Sequence, residues 1–260
     1  MIMNDDIIIK YFNNANCDDY NKHWIFYNIE ENQYLFEKPL YENKDIVQDV
    51  YKKIQCMLNE FIPLNEKLFR RLFPNFQEVL NKTKVILVVG CPSPYDAMVR
   101  EYNKEEYVIF DLIRFAEYVK NGYNLENIIQ QLLTHEFAHE CIREKYRIND
   151  NLSYIEKLNY ITFDEGFAHL LSYKENIENY DFNSDSYREK FNKSKRILAQ
   201  SINEEKIKEQ EKLLLSAASG EYWDKFASIC GKLYLANHID SLLEIYEKGW
   251  NDIITDILKE

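Results

Sequence analysis

The chain has 260 residues, of which 46% are hydrophobic and 15% aromatic, which is enough to bury a core and too apolar for a disordered chain. Acidic residues outnumber basic ones by 44 to 32, giving a net charge of −12. A surface of this sign repels phosphate backbones and anionic membranes, so we expect neither a nucleic-acid nor a membrane partner. No segment approaches the run of about eighteen apolar residues that a membrane-spanning helix needs.

The cysteines and the N-terminal segment bear on the compartment. The five cysteines are odd in number, widely spaced and without a CxxC pair, which is typical of a reducing compartment. The first residues, MIMNDDIIIKYFNN, lack the basic start and the long apolar stretch of a signal peptide. We therefore expect a cytoplasmic protein.

The elements before residue 84 are faint in the sequence. The segment HWIFYNI, residues 23–29, could form a short strand. Apolar residues recur at helical spacing through 43–61, which predicts a helix that ends before Pro63. A second short helix is predicted around residues 68–73, just before Pro74.

Residues 84–122 have a different pattern. The β-branched run KVILVVG, residues 84–90, predicts a strand, and EYVIF, residues 106–110, predicts a second one. We expect the two strands to share a small sheet, with a loop at 91–96 after the first. Helical character returns at residues 111–122 and stops at Gly122.

The remainder of the chain is predicted to be helical, because all five prolines lie at or before position 94. Helices are predicted from the N-cap Asn124 to about 146, at 161–174, across the charged segment 185–215 and at 221–237, with two short helices closing the chain. The fold class is thus α+β and predominantly helical, with a small sheet ahead of a helix pair. We predict one domain over 1–260, with an N-terminal part of about 1–83, a core of about 84–175 and a helical C-terminal part of about 176–260.

The most informative stretch is QLLTHEFAHE, residues 131–140, which contains the pattern HExxH as His135, Glu136 and His139. On a helix, residues four apart lie on one face with their Cβ atoms about 6 Å apart. Two imidazoles so placed can converge on one zinc ion. Glu136 stands beside them and can take a proton from a metal-bound water. The pattern predicts a zinc site on a buried helix.

A third ligand is expected further along the chain. The metzincin pattern HExxHxxGxxH is excluded, because Ile142 and Lys145 occupy its later positions. The segment ITFDEGFAHL instead supplies Glu165, with 25 residues between it and His139. The chain between them can turn and bring a second helix antiparallel to the first, and the small Gly166 suits close packing there.

The combination of HEFAH and DEGFAH resembles the gluzincin metallopeptidases, which pair HExxH with a downstream glutamate, and in particular bacterial predicted zinc-dependent proteases with a small sheet ahead of the HExxH helix. The resemblance covers about residues 84–170. It implies zinc held by His135, His139 and Glu165. It also implies that Glu136 acts as general base and then as general acid.

The same resemblance implies a peptide or protein substrate that lies along residues 106–110 as an added strand. It further implies an oxyanion-stabilising tyrosine or histidine from a C-terminal helix, for which Tyr222, Tyr234 and His238 are candidates. Tyr222 is favoured, because it begins the helix predicted after Gly220. The chain has no GAMEN-type loop of the zinc aminopeptidases, so the choice between endopeptidase and exopeptidase stays open.

Two further side chains lie near the second motif. His169, four residues after Glu165 on the same helix face, is either a partner that orients a ligand or an ordinary helix histidine. We do not expect it as a fourth ligand, because a catalytic zinc keeps one position open. Asp164 is a second candidate for orienting a ligand.

Three functional hypotheses follow. The leading one is a cytoplasmic zinc metallopeptidase that cuts peptide bonds through a zinc-activated water. The alternative is a zincin-fold binding or regulatory protein with little or no proteolytic activity, although the intact Glu136 argues against it. A structural zinc protein is the third, but the sequence shows no closed Cys/His site. The cleavage preference and the oligomeric state stay open.

Overall fold

The computed structural model describes residues 1–14, 18–27, 35–93, 95–148 and 151–260. This part of the chain forms twelve α-helices and one four-stranded sheet, which confirms the predicted α+β, predominantly helical class. The strands are β1 (Ile2–Asn4), β2 (Lys84–Val88), β3 (Ala97–Tyr102) and β4 (Glu105–Asp111). The helices are α1 (Asp6–Phe12), α2 (Lys44–Asn59), α3 (Glu66–Leu72), α4 (Phe76–Lys82), α5 (Leu112–Lys120), α6 (Leu125–Lys145), α7 (Tyr154–Leu171), α8 (Asp185–Ser201), α9 (Ile207–Ala218), α10 (Phe226–Asn237), α11 (Leu242–Lys248) and α12 (Ile253–Lys259). Among the described helices, none has the length and apolar character needed to cross a membrane.

The sheet has the strand order β1-β2-β4-β3. The two predicted strands are confirmed as the parallel neighbours β2 and β4, which pair from Lys84 with Tyr107 to Val88 with Asp111. Strand β1 adds in parallel to β2, and β3 adds antiparallel to β4. The predicted position of the substrate is wrong, because β2 and β3 already occupy both hydrogen-bonding edges of β4.

Several predicted elements change their type or their bounds. The predicted strand at residues 23–29 is wrong over Trp24–Phe26, which forms a 3₁₀ helix, while its last two residues lie outside the described part of the chain. The helix predicted at 161–174 begins earlier, at Tyr154. The charged segment 185–215 forms two helices, α8 and α9, rather than one.

The chain forms two compact units, and one of the boundaries between them falls after Glu136. The first unit comprises Met1–Pro63 and Gln77–Glu136, and the second comprises Leu64–Phe76 and Phe137–Glu260. The division of one domain into three parts stays a prediction.

In the first unit, Asp111 links the sheet to the helix that follows. Its carboxylate accepts the backbone N–H groups of Ile113 at 2.8 Å and Arg114 at 3.2 Å, which caps α5. The same carboxylate accepts the N–H of Cys91 at 2.6 Å, just beyond β2. Burial raises the pKa of Asp111 to about 6, even though these three donors favour the charged form.

In the second unit, α7 and α10 cross at a pair of glycines. A Cβ atom on Gly231 would overlap the carbonyl oxygen of Thr162, and one on Gly166 would lie 3.0 Å from the carbonyl carbon of Gly231. The two backbones can approach this closely only because neither residue has a side chain. The small Gly166 thus allows close packing against α10, whereas the expectation was close packing beside a metal.

An aromatic cluster supports α7 as well. Phe163 and Phe167, one turn apart on α7, pack their rings against Tyr246 of α11, with centroids 6.1 and 5.6 Å from it. Tyr146, directly after α6, packs edge-on against Phe163 at 5.5 Å. Helix α7 is thereby held both by the glycine crossing and by these rings, which fixes the position of the residues it carries.

Candidate metal centre

The HExxH motif lies near the middle of α6. The side chain of Asn124 accepts the backbone N–H of Asn127 at 3.0 Å, which confirms the predicted N-cap. Glu136 and His139 are 6% and 4% exposed, and His135 is half-buried. The motif therefore lies on a continuous helix in a largely water-excluded environment, as predicted.

Helix α7 presents the second motif. It begins with a capping box, in which the Ser153 hydroxyl accepts the Glu156 N–H and the Glu156 carboxylate accepts the Ser153 N–H at 2.8 Å. Glu165 and His169 stand one turn apart further along this helix. Both are in the part of α7 that the aromatic cluster and the glycine crossing hold in place.

The Glu165 carboxylate lies between two imidazoles. Its Oε1 is 3.7 Å from Nε2 of His139, and its Oε2 is 3.3 Å from Nε2 of His169. Ligand atoms around a tetrahedral zinc with bonds of about 2.0–2.1 Å are about 3.4 Å apart. Both pairs therefore already have the spacing of two ligands that share one ion.

A second carboxylate holds His139 from the opposite side of its ring. Nδ1 of His139 lies 2.9 Å from Oδ1 of Asp164, and both side chains are buried. A carboxylate at Nδ1 fixes the tautomer of the imidazole and leaves Nε2 available for a metal. Asp164 is thus placed to orient the His139 ring.

The pKa values of the two buried histidines shift in opposite directions. Burial alone would lower the pKa of His139, but the carboxylates of Asp164 and Glu165 outweigh it and raise the pKa to about 9. Burial lowers the pKa of His169, Glu165 opposes this shift, and the neighbouring Lys225 and Lys232 add a smaller lowering. The two rings sit in distinct electrostatic environments although both contact Glu165.

Three side chains form a group that could hold a metal ion. His135, Glu165 and His169 each offer a ligand atom, and these atoms lie within 4.8 Å of one another. Two imidazoles and one carboxylate are donors that suit zinc rather than magnesium or calcium. His139, a predicted ligand, is not a member of this group, although its Nε2 faces Glu165.

The three oxyanion candidates lie in different surroundings. The Tyr222 ring packs nearly perpendicular to the His169 ring, with centroids 5.2 Å apart. Tyr234 packs on His238 at 4.5 Å, and the imidazole of His238 lies 2.9 Å from a carboxylate oxygen of Glu260. Tyr222 is therefore in contact with a residue of the metal group.

Lys232 is a buried residue that the sequence analysis did not single out. Its side chain is 0% exposed, and its Nζ donates to the Tyr222 hydroxyl at 2.9 Å. The same atom lies 3.0 Å from the centre of the Tyr173 ring and 5.0 Å from that of Trp223. Burial, with a contribution from Lys174, lowers the pKa of Lys232 to about 6. A single charge within the apolar helix sequence FASICGKLYLA is the signal that could have revealed it.

No protein-family model, curated protein or solved structure matches this chain. The resemblance to the gluzincins therefore depends on the residues of the two motifs. The structure adds a His/Glu/His group that could bind a metal.

Proposed function

We propose that the protein is a zinc-dependent peptidase that hydrolyses peptide bonds through an activated water, with Glu136 as general base. The observation that carries this proposal is the position of Glu165 between His139 and His169. A carboxylate from the helix after HExxH, set among imidazoles, is the donor arrangement of a catalytic zinc site.

We assign the zinc ligands as His135, His139 and Glu165. The contact of Asp164 with Nδ1 of His139 supports this choice, because it directs Nε2 of that ring towards Glu165. His169 then acts on Glu165, since its Nε2 lies 3.3 Å from the carboxylate and can orient it. This set leaves one coordination position open for water and substrate.

A bound zinc would act as a Lewis acid and make its water easier to deprotonate. Glu136, 6% exposed and adjacent to His135 in the same helix turn, would take the proton from the attacking water. It would then hold this proton and pass it to the leaving amine. Tyr222 is the proposed hydrogen-bond donor to the developing oxyanion.

The test combines metal analysis with a peptide-library digest of the purified protein. The wild type should contain one zinc per chain and cleave members of the library. Glu136→Gln should keep the zinc and lose cleavage, because glutamine retains the size of the side chain but cannot take the proton. A zinc-free wild type, or cleavage that survives in the variant, contradicts the proposal.

A second function is favoured by one specific observation, the presence of His169 in the group with His135 and Glu165. If His169 were a fourth ligand beside His139, the zinc would be closed to substrate, and the protein would be a zincin-fold binding or regulatory protein. A fully loaded wild type that cleaves nothing in the library would favour this alternative.

We also propose a cytoplasmic location and a peptide or protein substrate. The reducing compartment is supported by the free thiols of the four described cysteines, Cys56, Cys91, Cys141 and Cys230. The net charge of −12 favours basic peptides through the long-range field.

A further inference from the structure

A series of side-chain contacts links Lys232 to the proposed metal site. Its Nζ donates to the Tyr222 hydroxyl at 2.9 Å, and the Tyr222 ring packs nearly perpendicular to the His169 ring. Nε2 of His169 in turn lies 3.3 Å from the Glu165 carboxylate. The contacts therefore run from the buried amine of Lys232 through Tyr222 and His169 to Glu165, a proposed ligand.

Glu165, His169 and Lys232 lie on α-helices, but Tyr222, which stands between His169 and Lys232, does not. Tyr222 belongs to a 3₁₀ turn, Tyr222–Asp224, which follows Gly220 and precedes α10. Such a short turn has few hydrogen bonds of its own to hold an aromatic ring in place. Lys232 lies on α10, whose backbone is locked to α7 at Gly231.

The surroundings of Lys232 leave its amine few alternative positions. The side chain is fully buried, with the rings of Tyr173 and Trp223 around Nζ. A buried amine retains its position only where it has a hydrogen-bond partner, and the Tyr222 hydroxyl is one. Movement of Tyr222 away from Lys232 would therefore leave the buried amine without this hydrogen bond, which costs free energy.

We propose that Lys232 is a positioning residue of the metal site: by anchoring Tyr222 against His169, it holds the Glu165 carboxylate in the orientation that binds the metal. This inference rests on the proposed function, since it takes Glu165 as a ligand. Lys232 itself touches neither the metal nor the substrate. Its contribution is to restrict the movement of His169 and thereby of Glu165.

The test measures the affinity of the metal-free full chain for Co²⁺, whose visible absorption reports ligand geometry. Lys232→Met keeps the length and packing of the side chain but removes the hydrogen bond to Tyr222. Tyr222→Phe keeps the ring against His169 and removes the same hydrogen bond. At pH 8, above the pKa of Lys232, a change in affinity reflects the lost hydrogen bond rather than a lost positive charge.

Both variants should bind Co²⁺ about threefold to tenfold more weakly and show an altered visible spectrum, because residues in direct contact with a ligand typically contribute about 10–100-fold and Lys232 acts one step further out. The double variant should bind no more weakly than the weaker single one, since both remove one interaction. Lys193→Met is the matched control, because Lys193 bonds to Asp224 in the same turn and is exposed. This control should bind like the wild type.

The inference is overturned if both single variants bind Co²⁺ within twofold of the wild-type affinity and show an unchanged spectrum. Additive losses in the double variant would overturn it as well. If Lys232→Met does not fold, Tyr222→Phe alone decides by the same threshold. A wild type that binds no Co²⁺ refutes the proposed metal site instead, so the two failures are distinguishable.

Discussion

Nδ1 of His139 and Oδ1 of Asp164 lie 2.9 Å apart, and both side chains are more than nine-tenths buried. The carboxylate fixes the orientation of a ring that faces Glu165 through its other nitrogen. Asp164→Asn should therefore weaken zinc binding about tenfold, at the lower end of the range for such partners, because asparagine still accepts a hydrogen bond but carries no charge. Competition with a chelator measures the affinity. Asp185→Asn, at an exposed position of α8, is the control.

The four candidate ligands can be separated by single substitutions. His135→Ala and Glu165→Gln should each strip zinc from the protein, because both residues belong to either possible ligand set. His139→Ala should also strip it, whereas His169→Ala should only weaken binding. Zinc per chain, measured by elemental analysis, gives the answer, with His23→Ala as control. Retention in His139→Ala together with loss in His169→Ala would assign the third position to His169.

Glu136 should separate metal binding from catalysis. General acid–base help is worth about 10²–10⁴-fold in rate, so Glu136→Gln should lower peptidase turnover by that factor. Zinc content and melting temperature should stay at wild-type values, because Glu136 is not a proposed ligand. The comparison uses a peptide that the wild type is shown to cleave. Equal rates for the two proteins would remove Glu136 from the mechanism.

Lys232 should make the stability of the protein depend on pH. Its pKa is lowered to about 6 in the folded state, so between pH 6 and about 10 the unfolded chain binds a proton that the folded chain does not. The free energy of unfolding should rise with pH in this range by up to about 1.4 kcal/mol per unit. Lys232→Met should remove this contribution, as urea unfolding at pH 6.5 and 8.5 would show. Lys193→Met should keep the wild-type slope, and an equal slope in Lys232→Met would contradict the burial argument.

The glycine crossing should tolerate no side chain at Gly231. A methyl group there would overlap the carbonyl oxygen of Thr162, so Gly231→Ala should destabilise the protein by about 1–3 kcal/mol. This loss outweighs the gain of about 0.5–1 kcal/mol that alanine brings to a helix. Urea unfolding measures the difference. Asn237→Ala, at an exposed position of the same helix, should be close to neutral, and a neutral Gly231→Ala would show that the helices can move apart.

The parts of the fold that could be predicted from the sequence are those with a strong local pattern. The β-branched run at β2 and the apolar spacing around HExxH identify a strand and a helix with its candidate ligands on one face without knowledge of the neighbours. Strand β1 has three exposed residues, and β3 carries Arg100 and Glu101 with little apolar alternation, so neither gives a local signal. They form strands because of the pairing partners beside them.

The candidate site divides in the same way. The spacing along the chain made Glu165 a candidate ligand, because the 25 residues between it and His139 can turn and bring a second helix back to the first. The contact of Asp164 with His139 and the burial of Lys232 depend on how α7 packs against its neighbours, which no local pattern encodes. A lone lysine in an apolar helix can equally extend to the surface, so its burial follows only from the three-dimensional packing.

The glycine crossing also sets the register between Glu165, a proposed ligand, and Lys232, its proposed positioning residue. Gly166 directly follows Glu165, and Gly231 directly precedes Lys232. A slip of one residue between α7 and α10 would displace Lys232 by about 1.5 Å along the helix axis and rotate it by about 100°. The contact at the crossing is between backbones, which cannot accommodate such a slip by changing side-chain rotamers. A substitution that forces α7 and α10 apart will therefore displace Glu165 and Lys232 together rather than one of them alone.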